Sequence, residues 1–397
     1  MEKITLGEGI YWVGIIDWNL REFHGYRTGR GSTYNSYLIL DKKRCVVDTV
    51  KTPFTSEFIA KIKELTTLEE IDYIVSNHLE LDHAGAVAEL AKACPKAKIL
   101  ATGQWIEGAE KYFGPGLPVQ QVRTGDKIPL GKNTLTFIEA PMLHWPDSMF
   151  TYLAEQEILM PNDAFGQHYA TSRRFDDQVP EPVLMEEALR YFANILQPFS
   201  PLILKMIARI TEMQLKFKVI APSHGIIWRQ APAKIINAYR SWAEGEANRE
   251  AVIVYDTMWG STEIIGRKMA EGIMKEDVPV SILSLKENDP GDIIAAIFKA
   301  KAVALGSPVL NNLPFPEMVK LFTFLKGLKP KNKIWALFGS YGWNKGILPQ
   351  FGEEIKSAGL QMPLPVFETR FRPGPEEKKA AQEFGRELAK LIKGKNG

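Results

Sequence analysis

Cysteine, long apolar runs and an excess of charge of one sign are all scarce in this chain of 397 residues. Its two cysteines are too few for a disulfide framework, so we expect reduced, buried thiols and a cytoplasmic location. No apolar run approaches the roughly 20 residues that cross a bilayer, and the first residues lack the pattern of a secretory signal. A net charge of +2 gives no basic surface for nucleic acid. We therefore expect a soluble protein with neither membrane nor nucleic-acid partners.

The length of the chain and the pattern of its apolar segments predict two domains. In residues 1–249, short apolar strands are interrupted by helical patterns, which predicts a layered α/β fold. The small and charged segment Ala243–Glu250 has no apolar periodicity, and we interpret it as a linker. In residues 250–397, five strand–helix units follow one another, which predicts an open, parallel, doubly wound sheet.

Histidines and carboxylates follow the ends of several predicted strands in the first domain. The run His78–His83 comes directly after the apolar strand Tyr73–Val75. The candidate metal ligands are His78, Glu80, Asp82, His83, His144, Asp163 and His224. Because loops at one edge of a sheet converge, we expect these side chains to lie together. Seven such ligands exceed what one first-row ion takes, so they predict two ions, of iron, manganese or zinc, that share a bridging carboxylate.

The spacing His-x-Glu-x-Asp-His resembles the metal motif of the metallo-β-lactamase superfamily, whose hydrolases have histidine in the place of Glu80. With Glu80, and with the phrases that begin at His144 and Asn162, the chain resembles the flavodiiron proteins over essentially its whole length. That resemblance implies an αββα fold for the first domain and a di-iron centre. It implies that His78, Glu80 and His144 bind one iron, that Asp82, His83 and His224 bind the other, and that Asp163 bridges them. Some members of the family do not use the histidine that matches His83, so its role stays open.

A glutamate at position 80 favours iron over zinc on chemical grounds. Its carboxylate adds negative charge and a hard oxygen donor, which stabilises ferric iron in a site that cycles between two oxidation states. Zinc has no redox chemistry. The main alternative is a zinc hydrolase of the metallo-β-lactamase type with a flavodoxin-like appendage. A non-catalytic flavin carrier is a further alternative, against which the full ligand set argues.

Two residues outside the ligand set are candidates for contact with a substrate. The resemblance implies that His24 lies beside the substrate pocket as a hydrogen-bond donor and that Tyr191 is a second donor. The alternatives are a histidine in a surface loop and a tyrosine packed in the core. His168 stands close to Asp163 in the sequence, and we interpret it as structural.

Three loops are predicted after the first, third and fourth strands of the second domain. The first offers hydroxyl groups and a helix N-terminus to a phosphate, but neither a Walker lysine nor a GxGxxG motif, which favours a mononucleotide. The other two offer aromatic and amide groups to a flavin ring. The candidate cofactor residues are Thr257, Met258, Trp259, Gly260, Ser261, Thr262, Ser307, Pro308, Val309, Leu310, Asn311, Asn312, Ser340, Tyr341, Gly342, Trp343 and Asn344. The set resembles the FMN site of flavodiiron proteins, except at Asn344-Lys345, where small residues are expected.

The resemblance also implies how the two domains work together. FMN takes electrons from a separate donor, either rubredoxin or a reduced deazaflavin, and passes them to the irons. The irons then reduce dioxygen to water or nitric oxide to nitrous oxide, and the sequence does not rank these two substrates. A head-to-tail homodimer, or a dimer of such dimers, is implied, in which the FMN of one subunit faces the irons of the other.

Overall fold

A computed structural model describes residues 3–394, which fold into two compact units. Unit 1 extends to Phe192 and resumes over Phe199–Ala243. Unit 2 takes in Ala193–Pro198 and the chain from Glu244 onward. Within the described range, no helix has the length and apolar character that crossing a membrane requires.

Unit 1 is built around two sheets. Its strands are β1 (Thr5–Gly7), β2 (Ile10–Trp12), β3 (Ile15–Asp17), β4 (Glu22–Phe23), β5 (Tyr26–Arg27), β6 (Ser32–Tyr34), β7 (Tyr37–Leu40), β8 (Arg44–Val47), β9 (Ile71–Val75), β10 (Lys98–Ala101), β11 (Val119–Gln121), β12 (Lys127–Pro129), β13 (Thr134–Glu139), β14 (Met149–Leu153), β15 (Ile158–Met160) and β16 (Val219–Ile220). One sheet has the order β1-β2-β7-β8-β9-β10-β11 and the other the order β12-β13-β14-β15-β16. The short pairs β3–β6 and β4–β5 are antiparallel.

The helices in this part of the chain are α1 (Thr55–Lys63), α2 (Leu81–Ala84), α3 (Val87–Ala93), α4 (Gly103–Phe113), α5 (Glu181–Tyr191), α6 (Ser200–Glu212) and α7 (Pro232–Glu244). The central strands β7 and β8 of the first sheet are covered on both faces, which explains why they are nearly continuous apolar runs. In β8, Val46 packs in a core with Phe58 of α1 and Trp105 of α4. The next residue, Val47, points the other way and shares a core with Phe137 of the second sheet. The layered α/β fold predicted for this part of the chain is confirmed.

Unit 2 has a single main sheet with helices packed against it. Its strands are β17 (Asn248–Tyr255), β18 (Val280–Ser284), β19 (Ala300–Leu310), β20 (Leu313–Pro314), β21 (Ile334–Tyr341) and β22 (Phe367–Arg370). Its helices are α8 (Ser261–Lys275), α9 (Pro290–Lys299), α10 (Pro316–Leu328), α11 (Ile347–Ser357) and α12 (Pro375–Lys393). The order β18-β17-β19-β21-β22 is parallel throughout, and β20 alone pairs antiparallel, with β19. This confirms the predicted doubly wound sheet, in which a crevice opens between β17 and β19, where the strand order reverses.

The segment that we interpreted as a linker is mostly regular structure. Helix α7 continues to Glu244 and β17 already begins at Asn248, so only residues 245–247 lie between them. Gly245 has a φ of +79°, which is the left-handed conformation that ends a helix. The interpretation was too broad because a charged segment without apolar periodicity also fits a helix end followed by the solvated start of a strand.

Helices α8 and α12 pack so closely that two glycines are required at their contact. A β-carbon on Gly272 of α8 would overlap the carbonyl oxygen of Gln382, and one on Gly385 of α12 would overlap that of Met269. Both obstacles are backbone atoms, which cannot rotate out of the way. Gly327 of α10 is the contrasting case, because a β-carbon there would have nothing within 4 Å.

Substitution Gly272→Ala should lower the free energy of unfolding by about 1–3 kcal/mol, because the helices must move apart. The matched substitution Gly327→Ala should raise it by roughly 0.5–1 kcal/mol, since alanine is the better helix former in open space. Calorimetric unfolding of the full chain measures both. Equal effects of the two substitutions would contradict the close packing of α8 and α12.

Lys333 is a buried cation at the start of β21. Its side chain is 7% exposed and its ammonium group donates a hydrogen bond to the carbonyl oxygen of Phe298. Burial, reinforced by repulsion from Lys301, lowers the pKa of Lys333 to about 7. The folded chain therefore releases a proton near neutral pH that the unfolded chain retains up to about pH 10.

The free energy of unfolding should consequently rise as the pH increases from about 7 to about 10, because the unfolded state binds more protons there. The variant Lys333→Met lacks this contribution. We expect it to be more stable than the parent at pH 7, with a difference that shrinks towards pH 10. Melting temperatures of both proteins across this range test the expectation, and a difference that is constant with pH would contradict it.

Candidate metal centre and flavin-binding loops

The loops after four strands bring all seven candidate ligands of unit 1 together. His78–His83 follow β9, and the other three follow β13, β15 and β16. One group consists of His78, Glu80, His144 and Asp163, and the other consists of Asp82, His83 and His224. Within each group, one ligand atom per residue lies within 4.8 Å of the others. The second group has the same members as one of the ligand sets that the family resemblance implies, and the first group has the members of the other set together with Asp163.

Asp163 is placed to serve both groups. Its Oδ2 lies 3.7 Å from Nε2 of His78 and 3.5 Å from Nε2 of His144. Its Oδ1 lies 3.1 Å from Nε2 of His83 and 3.3 Å from Nε2 of His224. One carboxylate oxygen therefore faces each group, which is the geometry that a bridging carboxylate requires.

The candidate ligands lie in a buried pocket that is lined by charged and titratable side chains. Burial by itself would raise the pKa of Glu80, but the neighbouring imidazoles of His144, His24 and His78 outweigh it and hold that pKa far below its ordinary value. Burial is likewise outweighed at Asp163, where the neighbouring His83 contributes most to lowering the pKa. The carboxylates are thus ionised in the pocket, and carboxylates concentrated in this way suit cations.

The unpartnered polar atoms of the pocket fit a pair of metal ions. Among the described residues, the buried atoms without a hydrogen-bond partner include both carboxylate oxygens of Asp82, Oδ2 of Asp163, and Nε2 of His144 and of His224. Buried polar atoms are normally paired, so this concentration marks a binding site. The donors are carboxylate oxygens and imidazole nitrogens, whereas both cysteines are buried and absent from the two groups. Such a set suits iron, manganese or zinc.

The histidines differ in how their second ring nitrogen is held. Nδ1 of His78 donates to Oδ2 of Asp147 at 3.2 Å, and Nδ1 of His224 donates to the carbonyl oxygen of Thr33 at 2.7 Å. Such bonds orient an imidazole for metal binding. Nδ1 of His83 is buried and has no partner in the part of the chain that the structure describes. His83 is also the position whose role as a ligand the sequence leaves open.

Asp48 supports the site, and the sequence analysis missed it. Its Oδ1 accepts a hydrogen bond from the backbone nitrogen of Asn77 at 2.7 Å. Its Oδ2 accepts from the side chains of Asn77, Asn162 and Ser223 at 3.0, 3.2 and 3.1 Å. Each of these residues stands immediately before a candidate ligand, respectively His78, Asp163 and His224. A signal was available, because Asp48 directly follows the apolar strand β8.

Asn35 holds the loop of His224 from another direction. Its backbone nitrogen donates to the carbonyl oxygen of Ser223 at 2.7 Å. Its side-chain amide donates to the carbonyl oxygens of Pro222 and Gly225 at 2.8 and 3.1 Å. The peptide groups on both sides of His224 are thereby fixed. Nothing in the sequence indicated this role, because it depends on partners nearly 190 residues away.

The predicted substrate-contact residues both touch carboxylates of the site. Nε2 of His24 donates to Oε1 of Glu80 at 2.7 Å, and the hydroxyl of Tyr191 donates to Oδ1 of Asp163 at 2.9 Å. His168 lies outside both ligand groups. Its Nδ1 is 2.7 Å from Oγ of Ser32, and its ring centroid is 4.8 Å from that of His224.

In unit 2, the loop after β17 leads into the N-terminus of α8. Oγ1 of Thr257 accepts a hydrogen bond from the backbone nitrogen of Gly260 at 3.0 Å, and Gly260 has a φ of +81°. Helix α8 begins at Ser261, and Thr262 is buried with its hydroxyl 3.1 Å from that of Ser340. This is a turn of hydroxyl and backbone donors at a helix N-terminus, which suits a phosphate group.

The second predicted loop is a β-hairpin, which corrects the sequence analysis. Strand β19 continues to Leu310 and pairs with β20, so Ser307–Leu310 lie in the strand. Asn311 and Asn312 form the turn, with φ values of +50° and +60°. Such a two-residue turn matches the twist of a hairpin. A loop was predicted for this segment because Asn-Asn is a weaker hairpin signal than Asn-Gly.

The third segment and the hairpin touch at their tips and expose aromatic surface nearby. The side-chain amide of Asn344 donates to Oδ1 of Asn312 at 2.8 Å. Ser340 and Tyr341 lie in β21, and Trp343 is 81% exposed, as is Trp259 of the first loop at 85%. Solvent-exposed indole rings near a turn that suits a phosphate fit a cofactor with an aromatic ring system. The structure gives no role to Lys345.

Comparison with known proteins matches both units. A family model described as ODP family beta lactamase covers residues 33–225, and the flavodoxin model covers residues 253–385. The nitric oxide reductase of Moorella thermoacetica is 46% identical over an alignment of 397 positions, which covers 98% of this chain and 99% of the relative.

Two solved structures have nearly the same fold over the whole chain. The rubredoxin oxygen:oxidoreductase of Desulfovibrio gigas superposes with a TM-score of 0.96 and 37% identity, and the match covers 99% of both chains. The flavodiiron protein of Giardia intestinalis superposes with a TM-score of 0.94 and 33% identity, over 99% of this chain and 97% of the other.

Substitution Asp48→Ala should lower the iron content of the purified protein, because three ligand-bearing loops lose their common acceptor. Outer partners of this kind typically change metal affinity about 10–100-fold. Asp41→Ala is the matched control, since Asp41 accepts bonds from Lys42, Lys132 and twice from Asn133, away from the site. Metal analysis and thermal unfolding are measured together.

The control should lose stability but keep its iron. If Asp48→Ala does not fold, Asp48→Asn retains the shape and one acceptor oxygen and should still bind iron more weakly than the parent. Equal iron contents in the Asp48 and Asp41 variants would show that Asp48 only stabilises the fold.

Proposed function

The chain belongs to the flavodiiron proteins, and on that premise we propose that it reduces nitric oxide to nitrous oxide, dioxygen to water, or both. It is an oxidoreductase that depends on FMN and a di-iron centre, and it receives electrons from a separate redox donor. The relatives that support this are named nitric oxide reductase and rubredoxin oxygen:oxidoreductase. A zinc hydrolase is not favoured.

The observation that carries the proposal is the carboxylate of Glu80 among imidazoles. Its Oε2 lies 3.3 Å from Nε2 of His78 and 3.4 Å from Nε2 of His144. A hard, negatively charged donor in this position favours an ion that cycles between two charges, whereas zinc keeps one.

We propose the following ligand assignment. One iron is held by His78, Glu80 and His144, the other by Asp82, His83 and His224, and Asp163 serves both. When bound, the two irons supply the electrons that reduce a small oxidant. The unpartnered nitrogens and oxygens of the pocket support this assignment, although His83 lacks, among the described residues, the second hydrogen bond that orients His78 and His224.

The chain's own residues fix the orientation of these donors. The N–H of His24 at Nε2 holds one oxygen of Glu80, which leaves the other oxygen to the imidazoles. The hydroxyl of Tyr191 holds Oδ1 of Asp163 in the same way. We propose that His24 and Tyr191 also contact the substrate, because the side chain of each donates a hydrogen bond to a carboxylate of the centre.

For FMN, we propose that the turn at residues 257–262 holds the phosphate and that Ser307–Asn312 and Ser340–Asn344 surround the ring.

The donor is rubredoxin, which the name of the Desulfovibrio gigas relative supports, or alternatively a reduced deazaflavin. Membership of the flavodiiron proteins supports a head-to-tail homodimer, or a dimer of such dimers. The two buried, free cysteines support a cytoplasmic location.

Metal and flavin analysis of the purified chain tests the class of enzyme. We expect about two irons and one FMN per chain, together with consumption of nitric oxide and of dioxygen when a reduced donor is supplied. Nitric oxide turnover without oxygen, measured beside dioxygen turnover with the same donor, then ranks the two substrates. Zinc without flavin would refute the proposal.

Substitution Glu80→His should leave the fold intact, because histidine occupies this position in related hydrolases. It should lower turnover of both substrates by at least about tenfold and shift the bound metal from iron towards zinc. Metal analysis, circular dichroism and turnover are measured on the same preparation. Unchanged turnover would contradict the role given to Glu80.

A further inference from the structure

Lys286 reaches across one end of the sheet in unit 2. It lies in the connection between β18 and α9, outside all three segments considered for the flavin. Its Nζ donates to the carbonyl oxygen of Thr257 at 2.9 Å and lies 3.2 Å from Oδ1 of Asp256. The same ammonium group is 5.2 Å from the centroid of the Phe315 ring. One side chain therefore lies against the segments that follow β17 and β20.

Asp256 explains why a cation is needed at this place. It directly follows β17, is 1% exposed, and accepts a hydrogen bond from the backbone nitrogen of Thr257 at 2.6 Å. Its Oδ2 has no hydrogen-bond partner among the described residues. A buried carboxylate is costly unless a cation neutralises it. Within the described part of the chain, Lys286 is the cation that pairs with it.

The pair lies directly behind the turn that suits a phosphate. Thr257 accepts a bond from Lys286 through its carbonyl oxygen, and its hydroxyl shapes the turn by accepting from Gly260. A phosphate monoester at this turn would carry up to two negative charges. The carboxylate of Asp256 is part of the same short loop and would repel it if its charge were not balanced.

The other contact of Lys286 is with the far side of the crevice. Phe315 donates its backbone N–H to Oγ of Ser307 at 2.8 Å, which closes the base of the β19–β20 hairpin. Lys286 thereby touches both walls of the opening between β17 and β19. The side chain of Lys286 is itself 52% exposed.

We propose that Lys286 is a positioning residue of the flavin site, which neutralises Asp256 so that the first loop can accept the phosphate of FMN. This inference rests on the proposed assignment of that loop to FMN. If it holds, the preference for FMN over a flavin without phosphate depends on Lys286, a residue outside the three flavin segments.

The test uses the full chain, stripped of flavin and titrated separately with FMN and with riboflavin, which lacks the phosphate. The Kd values follow from the quenching of flavin fluorescence. The parent protein should bind FMN more tightly than riboflavin. If the parent shows no such preference, that result by itself counts against the proposed function. In Lys286→Met, the Kd for FMN should rise on the order of tenfold, while the Kd for riboflavin should change much less.

Two further variants separate charge from packing. Adding Asp256→Asn to Lys286→Met removes both charges and should restore most of the preference for FMN. The matched control is Lys356→Met, because Lys356 is 47% exposed and pairs with Glu353 at 2.8 Å on helix α11. The control should bind both flavins as the parent does.

The proposal is overturned by any of three results. The first is that Lys286→Met weakens both flavins equally. The second is that Lys286→Met binds both flavins as Lys356→Met does. The third is that the double variant Lys286→Met/Asp256→Asn does not recover FMN binding. Lys286→Arg, which keeps the charge, should bind FMN close to the parent level.

Discussion

Buried negative charge is the constraint that organises unit 1. Three carboxylates of the proposed metal site, Glu80, Asp82 and Asp163, lie in one pocket, and Asp48 and Asp147 stand behind them. Each needs a donor or a cation, since an unpaired buried charge would be strongly destabilising. The imidazoles, amides and hydroxyls that meet this need come from loops of both sheets. Two metal ions at the proposed ligands would complete the balance, so cofactor and fold would be parts of one electrostatic arrangement.

Most of the site could be anticipated from the sequence because its signal is local. Each candidate ligand stands just after an apolar strand, and His78–His83 places four candidates within six positions. The residues that support the ligands could not be predicted, because their roles depend on partners far along the chain. Asp147 even lies within the phrase that indicated the family, yet its bonds to His78 and to the backbone of Leu79 are visible only in three dimensions.

In unit 2 the parallel sheet was predictable and its details were not. Five strand–helix units leave few topologies, because right-handed crossovers and short connections exclude most others. The hairpin at Asn311–Asn312 was missed since positive φ at two successive non-glycine residues is rare. Lys286 was missed for a different reason, because a half-exposed lysine in a loop is normally only solvated, and its pairing depends on the burial of Asp256.

The bonds of Asp48 also bear on how the protein folds. This one carboxylate joins residues that are 29, 114 and 175 positions away in the chain. Closing such large loops costs entropy before the contacts that compensate for it are made. The pocket therefore forms only when most of unit 1 is already in place. A nascent chain would present its histidines and carboxylates to the cell as separate weak ligands, and the selection of the metal would be deferred until synthesis of this unit is complete.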